Sequence, residues 1–204
     1  MVRRLIADSC ADFTPEKKEW TDVRLVPLTL TVDKEDVVDD ETFCQKKFLE
    51  KMRRSLECPR SACPSPERYM QEFEGQEECY VITLSSRLSG SYNSAVVAKE
   101  MYLEEHPEAK IEIVDSRSAS CGQMLIAVKL RELKEKGLDF ESVKEKITEF
   151  RDTMETKFVL ESLENLRKNG RLSRVTFTIC NVLNIRPVMA ADDGEIVKID
   201  QVRG

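Results

Sequence analysis

Residues 78–95 read Glu-Cys-Tyr-Val-Ile-Thr-Leu-Ser-Ser-Arg-Leu-Ser-Gly-Ser-Tyr-Asn-Ser-Ala. The first half is apolar and lacks polar alternation, the pattern of a strand buried on both faces of a parallel sheet. The second half carries five serines between Ser85 and Ser94 and leads into a helical stretch over 91–106. Strand, hydroxyl-rich loop and helix in direct succession form half of a βαβ unit.

Working outward, the pattern repeats. Short apolar runs predict strands at 3–9 and 24–32. Pro27 puts the second at an edge or a bulge, because proline has no N–H to give a ladder. Apolar residues at 43, 48, 49 and 52 predict a helix within 39–55. Another starts in 61–75, with Ser65 as N-cap and Pro66 at the first helical position. A strand over 109–116 and helices over 119–137 (closed by Gly137) and 139–155 (opened by Asp139) complete the series. This alternation predicts an α/β domain over residues 1–155, a parallel helix-covered sheet. Beyond it the rhythm changes. Residues 156–173 read as a short strand, a short helix and a glycine-containing turn; 175–185 fit helix or strand equally; 186–204 form a hairpin turning at Asp193-Gly194. Segment 156–204, about 49 residues, is marginal as an independent domain.

Composition narrows the function. The chain has 204 residues, is 41% hydrophobic and 34% charged, and carries a net charge of −6. This is globular composition, with too little clustered positive charge for a nucleic-acid binder. No apolar run reaches the roughly 18 residues of a membrane span. The apolar stretch of the N-terminus breaks at Asp8, too early for a secretory leader, and the seven cysteines suggest no disulfide frame. The expectation is a cytoplasmic protein without stable membrane insertion. The one histidine, His106, lies in a polar turn, so a Ser-His-Asp triad or a histidine-rich zinc site has no basis.

Three predicted strands end in small polar loops, at 8–12, 84–91 and 114–120. Ligands of open α/β sheets bind beyond the carboxyl ends of strands. In 84–91, Gly90 permits close approach, and the following helix start offers unpaired N–H groups to a carboxylate or phosphate. The alternative is that Ser89 or Ser91 only caps its own helix. The loop lacks the Gly-Lys-Ser/Thr ending of a P-loop and is not a nucleophile elbow. Ser61, in Ser-Ala-Cys-Pro-Ser-Pro (61–66), has no evident local duty. Asp8 and Asp115 either accept backbone N–H groups or bind a metal, for which no third ligand is evident. Arg171 either meets an acidic ligand or partner or simply ends a helix. Cys10, Cys63 and Cys121 are free thiols or contain a reactive pair.

Taken in order, DSCADF (8–13), LVPLTLTV (25–32), SACPSP (61–66), TLSSRLSGSYNSA (83–95), VDSRSASCG (114–122), LENLRKNGRLS (163–173) and NIRPVM (184–189) resemble the DegV family of bacterial fatty-acid-binding proteins. The resemblance implies a carrier and not an enzyme. One long-chain fatty acid lies between two α/β domains, its acyl chain in an apolar tunnel. Its carboxylate is held by hydroxyls at the positions of Ser61 and Ser89, with Gly90 beside them. No metal or cofactor is implied. The carrier presents the fatty acid to a fatty acid kinase for phospholipid synthesis, with Arg171 a candidate contact for that partner. Three departures stand out. Ser-Ala-Cys replaces Thr-Ser-Gln, Ser91 replaces threonine, and family chains continue past residue 204 into a glycine- and histidine-containing loop near the headgroup. The resemblance therefore implies that residues 156–204 are an incomplete, truncated second α/β domain and that the tunnel lacks a wall. Two other readings follow: a phosphate-handling enzyme on a related scaffold, and a non-binding remnant.

Overall fold

The computed structural model describes residues 3–160, 162–172 and 185–203. The chain runs β1 (Arg3–Asp8), α1 (Pro15–Thr21), β2 (Val23–Val26), β3 (Thr29–Val32), β4 (Glu35–Val38), α2 (Gln45–Arg54), β5 (Arg60–Ala62) and α3 (Pro66–Phe73). It continues through β6 (Glu78–Thr83), α4 (Ser91–Glu105), β7 (Lys110–Asp115), α5 (Cys121–Glu135) and α6 (Phe140–Thr153). Last come β8 (Lys157–Val159), α7 (Glu164–Lys168), β9 (Ile185–Asp192) and β10 (Glu195–Arg203).

The expected parallel sheet is present, ordered β2-β1-β6-β7. Every residue of β6 is buried: residues 79–82 form the apolar run, and Glu78 pairs with Arg3 at 2.6 Å. Successive side chains of a strand point to opposite faces, so the central strands feed two cores. Leu5, Ala7, Tyr80 and Ile82 pack with Ile126, Leu130, Val143 and Ile147 of α5 and α6. Ile6, Cys79 and Val81 pack with Tyr69 and Phe73 of α3 and Ala95 and Ala98 of α4. Each such aliphatic or aromatic side chain contributes about 1.5–3 kcal/mol on burial. Small Ala95 and Ala98, each 0 % exposed, let α4 lie close on the sheet. Asp139 caps α6 as expected, accepting the Ser142 N–H at 2.9 Å. Gly137, which closes α5, adopts φ +69°.

The stretch 24–32 departs from the single strand expected of it. It is two strands in two sheets, parted around Pro27. β3 instead centres a small antiparallel sheet ordered β4-β3-β5, whose β3–β4 turn puts Asp33 and Lys34 at φ 51° and 63°. Pro27 has no N–H for a ladder, and Thr29-Leu30-Thr31-Val32 alternates as a one-sided antiparallel strand does. Ser61 and Ala62, expected in a loop, belong to β5. Ser65 occupies the N-cap position of α3, but its side chain makes no capping hydrogen bond. Its hydroxyl instead serves Glu67, whose acidity it raises together with a backbone hydrogen bond.

Beyond α6 a second antiparallel sheet forms, ordered β10-β9-β8. Leu163, Leu172 and Met189 centre its own small core. The hairpin turns at Asp193 (φ 45°) and Gly194 (φ 82°), as the Asp-Gly pair predicts. The undecided stretch 175–185 lies outside the described residues apart from Ile185.

Candidate functional site

The three polar loops do meet at the carboxyl end of the parallel sheet, and a buried carboxylate anchors them. Asp8, at the end of β1, is 0 % exposed. It accepts the Leu84 N–H at 2.7 Å, the Ser91 hydroxyl at 2.6 Å, the Gln123 side-chain amide at 2.9 Å and the Cys10 N–H at 3.3 Å. A buried carboxylate needs such donors to offset its lost hydration. Ser91 has one proton, which goes to Asp8, so Tyr69 donates to Ser91 Oγ at 2.6 Å. Burial first, and the charge of Asp8 second, push the Tyr69 phenol up, keeping it a donor. Asp115 does the same for the neighbouring loop, accepting the N–H groups of Ser86 and Arg117, each at 3.1 Å. Both aspartates therefore shape loops. Among the described residues, no group of three or more His, Cys, Asp or Glu is placed to hold a metal ion.

Above this frame opens a cleft of about 550 Å³. Ser61, Cys63, Ser89, Gly90, Tyr92 and Arg171 contribute to its lining. All four site residues expected from the sequence thus converge, although they come from three separate parts of the chain. Ser89 is half-buried and accepts the Ser91 N–H at 3.2 Å through Oγ. That capping role leaves its proton available to an oxyanion, so the two readings of this serine are compatible. The hydroxyl of Ser61 stands exposed on β5. Gly90, the N-cap of α4, has φ −73°, a value open to any residue. What constrains the position is space: a Cβ there would lie 3.2 Å from Cys63 Sγ on the opposite wall, a tight contact that the thiol would have to relieve by a small shift. Behind Cys63, Ser94 donates to the Pro64 carbonyl at 2.6 Å and ties that wall to α4. Of the first N–H groups of α4, that of Ser91 is taken by Ser89, and the next two residues, Tyr92 and Asn93, line the cleft.

Arg171 extends across the cleft rim, its Nε donating to the Leu88 carbonyl at 3.1 Å. His106 sits at the other end of α4, stacked on Tyr102. The helix has 15 residues, so its ends lie about 22 Å apart. Burial, aided by Asp8, pushes the Cys10 thiol up to about 12. It stays protonated near neutrality, contrary to a reactive role. The six described cysteines are all free.

The family described as "Uncharacterised protein, DegV family" matches residues 3–204. The chain belongs to the DegV family. A DegV domain-containing protein of Streptococcus pneumoniae is 40% identical over 207 residues, covering 100% of this chain and 74% of that protein. A DegV family protein of Ruminococcus gnavus, solved with vaccenic acid, superposes with a TM-score of 0.92 at 40% identity, over 99% of this chain and 73% of that one. The Streptococcus pneumoniae fatty acid kinase B3 protein, loaded with linoleic acid, superposes with a TM-score of 0.92 at 38% identity, over 100% and 74%. The DegV resemblance and the α/β class therefore hold. No helix among the described residues is long and apolar enough to cross a membrane.

The reading of this DegV chain from sequence alone missed the supports beneath the cleft: Tyr69, Ser85, Ser94 and Gln123. Ser85, Ser94 and Gln123 are polar and buried, but only the fold reveals that burial.

Proposed function

We propose that this chain binds a long-chain fatty acid by its carboxylate and carries it as a non-enzymatic component of the cytoplasm. The hydroxyls of Ser61 and Ser89 hold the headgroup, with Gly90 and the first N–H groups of α4 beside them. The acyl chain lies in an apolar tunnel between the parallel-sheet domain (1–155) and the segment 156–204. The observation that carries this reading is the convergence of Ser61, Ser89 and Gly90 on one cleft at a helix start. That setting suits an anion. A carboxylate taken out of water needs donors, and two hydroxyls with helix-start amides supply them, with Arg87 and Arg171 also lining the cleft. The fatty acids bound to the Ruminococcus and Streptococcus proteins support the choice of ligand. Each buried CH₂ adds about 0.8 kcal/mol to affinity. The name of the Streptococcus protein supports the further step, presentation of the carboxylate to a fatty acid kinase for phospholipid synthesis. Arg171, on the cleft rim, is the proposed contact for that partner.

Native mass spectrometry of the purified chain, before and after addition of oleic acid, tests the reading. One adduct of fatty-acid mass is expected. A clean apo mass after addition overturns it.

A further inference from the structure

Gly194, at the tip of the β9–β10 hairpin, is buried, although hairpin turns generally face solvent. Its carbonyl accepts the Ser85 hydroxyl at 2.7 Å, and Ser85 is 0 % exposed. A Cβ at this position would lie 2.5 Å from Ser85 Oγ, 3.3 Å from the Arg117 Cα and 3.4 Å from the Arg87 Cγ. The tip thus sits in a socket made by the loops after β6 and β7. Asp193 pairs with Arg87 at 3.2 Å and with Arg117 at 3.3 Å on the rim of that socket. Arg117 also reaches Asp152 at 3.3 Å, and it sits at φ 49°, in the left-handed region.

Ser85 is also the pivot of the headgroup loop. Its carbonyl accepts the N–H groups of Leu88 at 2.9 Å and Ser89 at 3.1 Å. Its Oγ accepts the Arg87 N–H at 3.3 Å while donating to Gly194. The residue that seats the hairpin is thus the one that folds the chain toward Ser89 and Gly90.

We propose that the Asp193-Gly194 tip is a positioning clamp: seated on Ser85, it holds the 85–90 loop in the form that receives a carboxylate. The proposal rests on the fatty-acid reading for its ligand, but not for the clamping itself. It implies reciprocity. If the seated tip favours carboxylate binding, bound carboxylate favours the seated tip by the same factor. The ion pairs of Asp193 are exposed and contribute little. The main hold is the buried Ser85–Gly194 contact.

The test is amide hydrogen exchange of the full chain without ligand, followed by dissociation kinetics of a fluorescent fatty acid. Gly194→Ala strains a positive φ and drives a methyl into Ser85 Oγ, so the Leu88 and Ser89 amides should exchange about tenfold faster, a loss of roughly 1.4 kcal/mol. Ser85→Ala removes the obstructing oxygen. Gly194→Ala should therefore add less to exchange when combined with Ser85→Ala than it does in the wild type, as expected of sites in contact. Asp193→Asn keeps a turn-competent Asn-Gly pair and should speed exchange only about twofold, and it serves if Gly194→Ala does not fold. Asp139→Ala, which removes the α6 cap far from the hairpin, controls for general destabilisation and should leave the loop amides unchanged relative to the global opening rate. With ligand, Gly194→Ala should raise the dissociation rate about tenfold and change association less than threefold. Additive effects of the two alanines on exchange overturn the clamp. So does loss of protection in the hairpin without loss at Leu88 and Ser89. If the wild type takes up no fatty acid, the ligand reading fails while the exchange data still decide the clamp.

Discussion

The 84–91 loop and the 60–65 segment face each other across one cleft but hang on different supports. The first continues β6, a wholly buried strand, and is tied from below to Asp8 and Asp115 and from the side to the hairpin tip. The second continues β5, three exposed residues at the edge of a small antiparallel sheet. Its firm tie is the Ser94–Pro64 hydrogen bond. One wall is braced by the buried, hydrogen-bonded Asp8, Ser85 and Ser91; the other keeps its hydroxyl exposed. This difference predicts unequal roles: Ser89 presents a preorganised donor, whereas Ser61 must be ordered when ligand arrives, at a cost in entropy.

The strongest way to break that contrast is to remove the anchor. Asp8→Ala orphans the Leu84 N–H, the Ser91 hydroxyl and the Gln123 amide, and should lower stability by about 3 kcal/mol or more. Urea denaturation measures it. A loss under about 1 kcal/mol would show that the rigid wall does not depend on Asp8. Next comes Ser89→Ala, expected to weaken fatty acid binding by ~1–3 kcal/mol, because a buried carboxylate loses a donor. Its Tm should fall by only a few degrees, because the Ser91 N–H at the start of α4 loses its partner. Unchanged affinity in a binding titration rejects the site.

How far these walls are readable without coordinates follows from their physics. β6 and the loop after it are local: the apolar run, the serines and the helix start are contiguous, so strand, ligand loop and helix emerge together. The Asp193-Gly194 turn is equally local, because its backbone conformation selects that residue pair. The small antiparallel sheet is not. β5 is a very short strand, and it exists only because β3, far earlier in the chain, offers an edge. Pro27 pointed to an edge or a bulge in a single strand over 24–32, but nothing in the stretch says that its two halves join different sheets. Likewise Ser61, Ser89 and Arg171 are drawn to one cleft by tertiary pairing, and only family resemblance linked the two serines beforehand. The glycine at 90 was expected to let a bound anion approach; that a Cβ there would crowd Cys63 became visible only in the fold.

Arg171 sharpens the contrast at the rim. It reaches from the β8–β9 side to the Leu88 carbonyl, so it touches the rigid wall without carrying it. Arg171→Glu should cost less than about fivefold in fatty acid affinity, the loss of one partly exposed hydrogen bond. Phosphorylation of the bound fatty acid by a fatty acid kinase should fall by more than about tenfold, as expected when charge is reversed at a partner contact. Equal losses in both assays would make Arg171 part of the ligand site alone.

The smallest effect should come from the lightly held wall. Ser61→Ala removes a hydroxyl that is hydrated in the empty cleft, so its net contribution to binding is only the exchange of water for carboxylate, about 1 kcal/mol, or roughly fivefold in affinity. The loss should also be smaller than that of Ser89→Ala, because ordering Ser61 on an exposed, short strand offsets part of what its hydroxyl contributes. Isothermal titration with the same fatty acid compares the two directly. If Ser61→Ala matches or exceeds Ser89→Ala, β5 is as well ordered as the loop after β6, and the inequality of the walls disappears. If the Ser61→Ala/Ser89→Ala pair loses less than the sum of its parts, the two hydroxyls share one carboxylate oxygen environment, as sites coupled through a common ligand do.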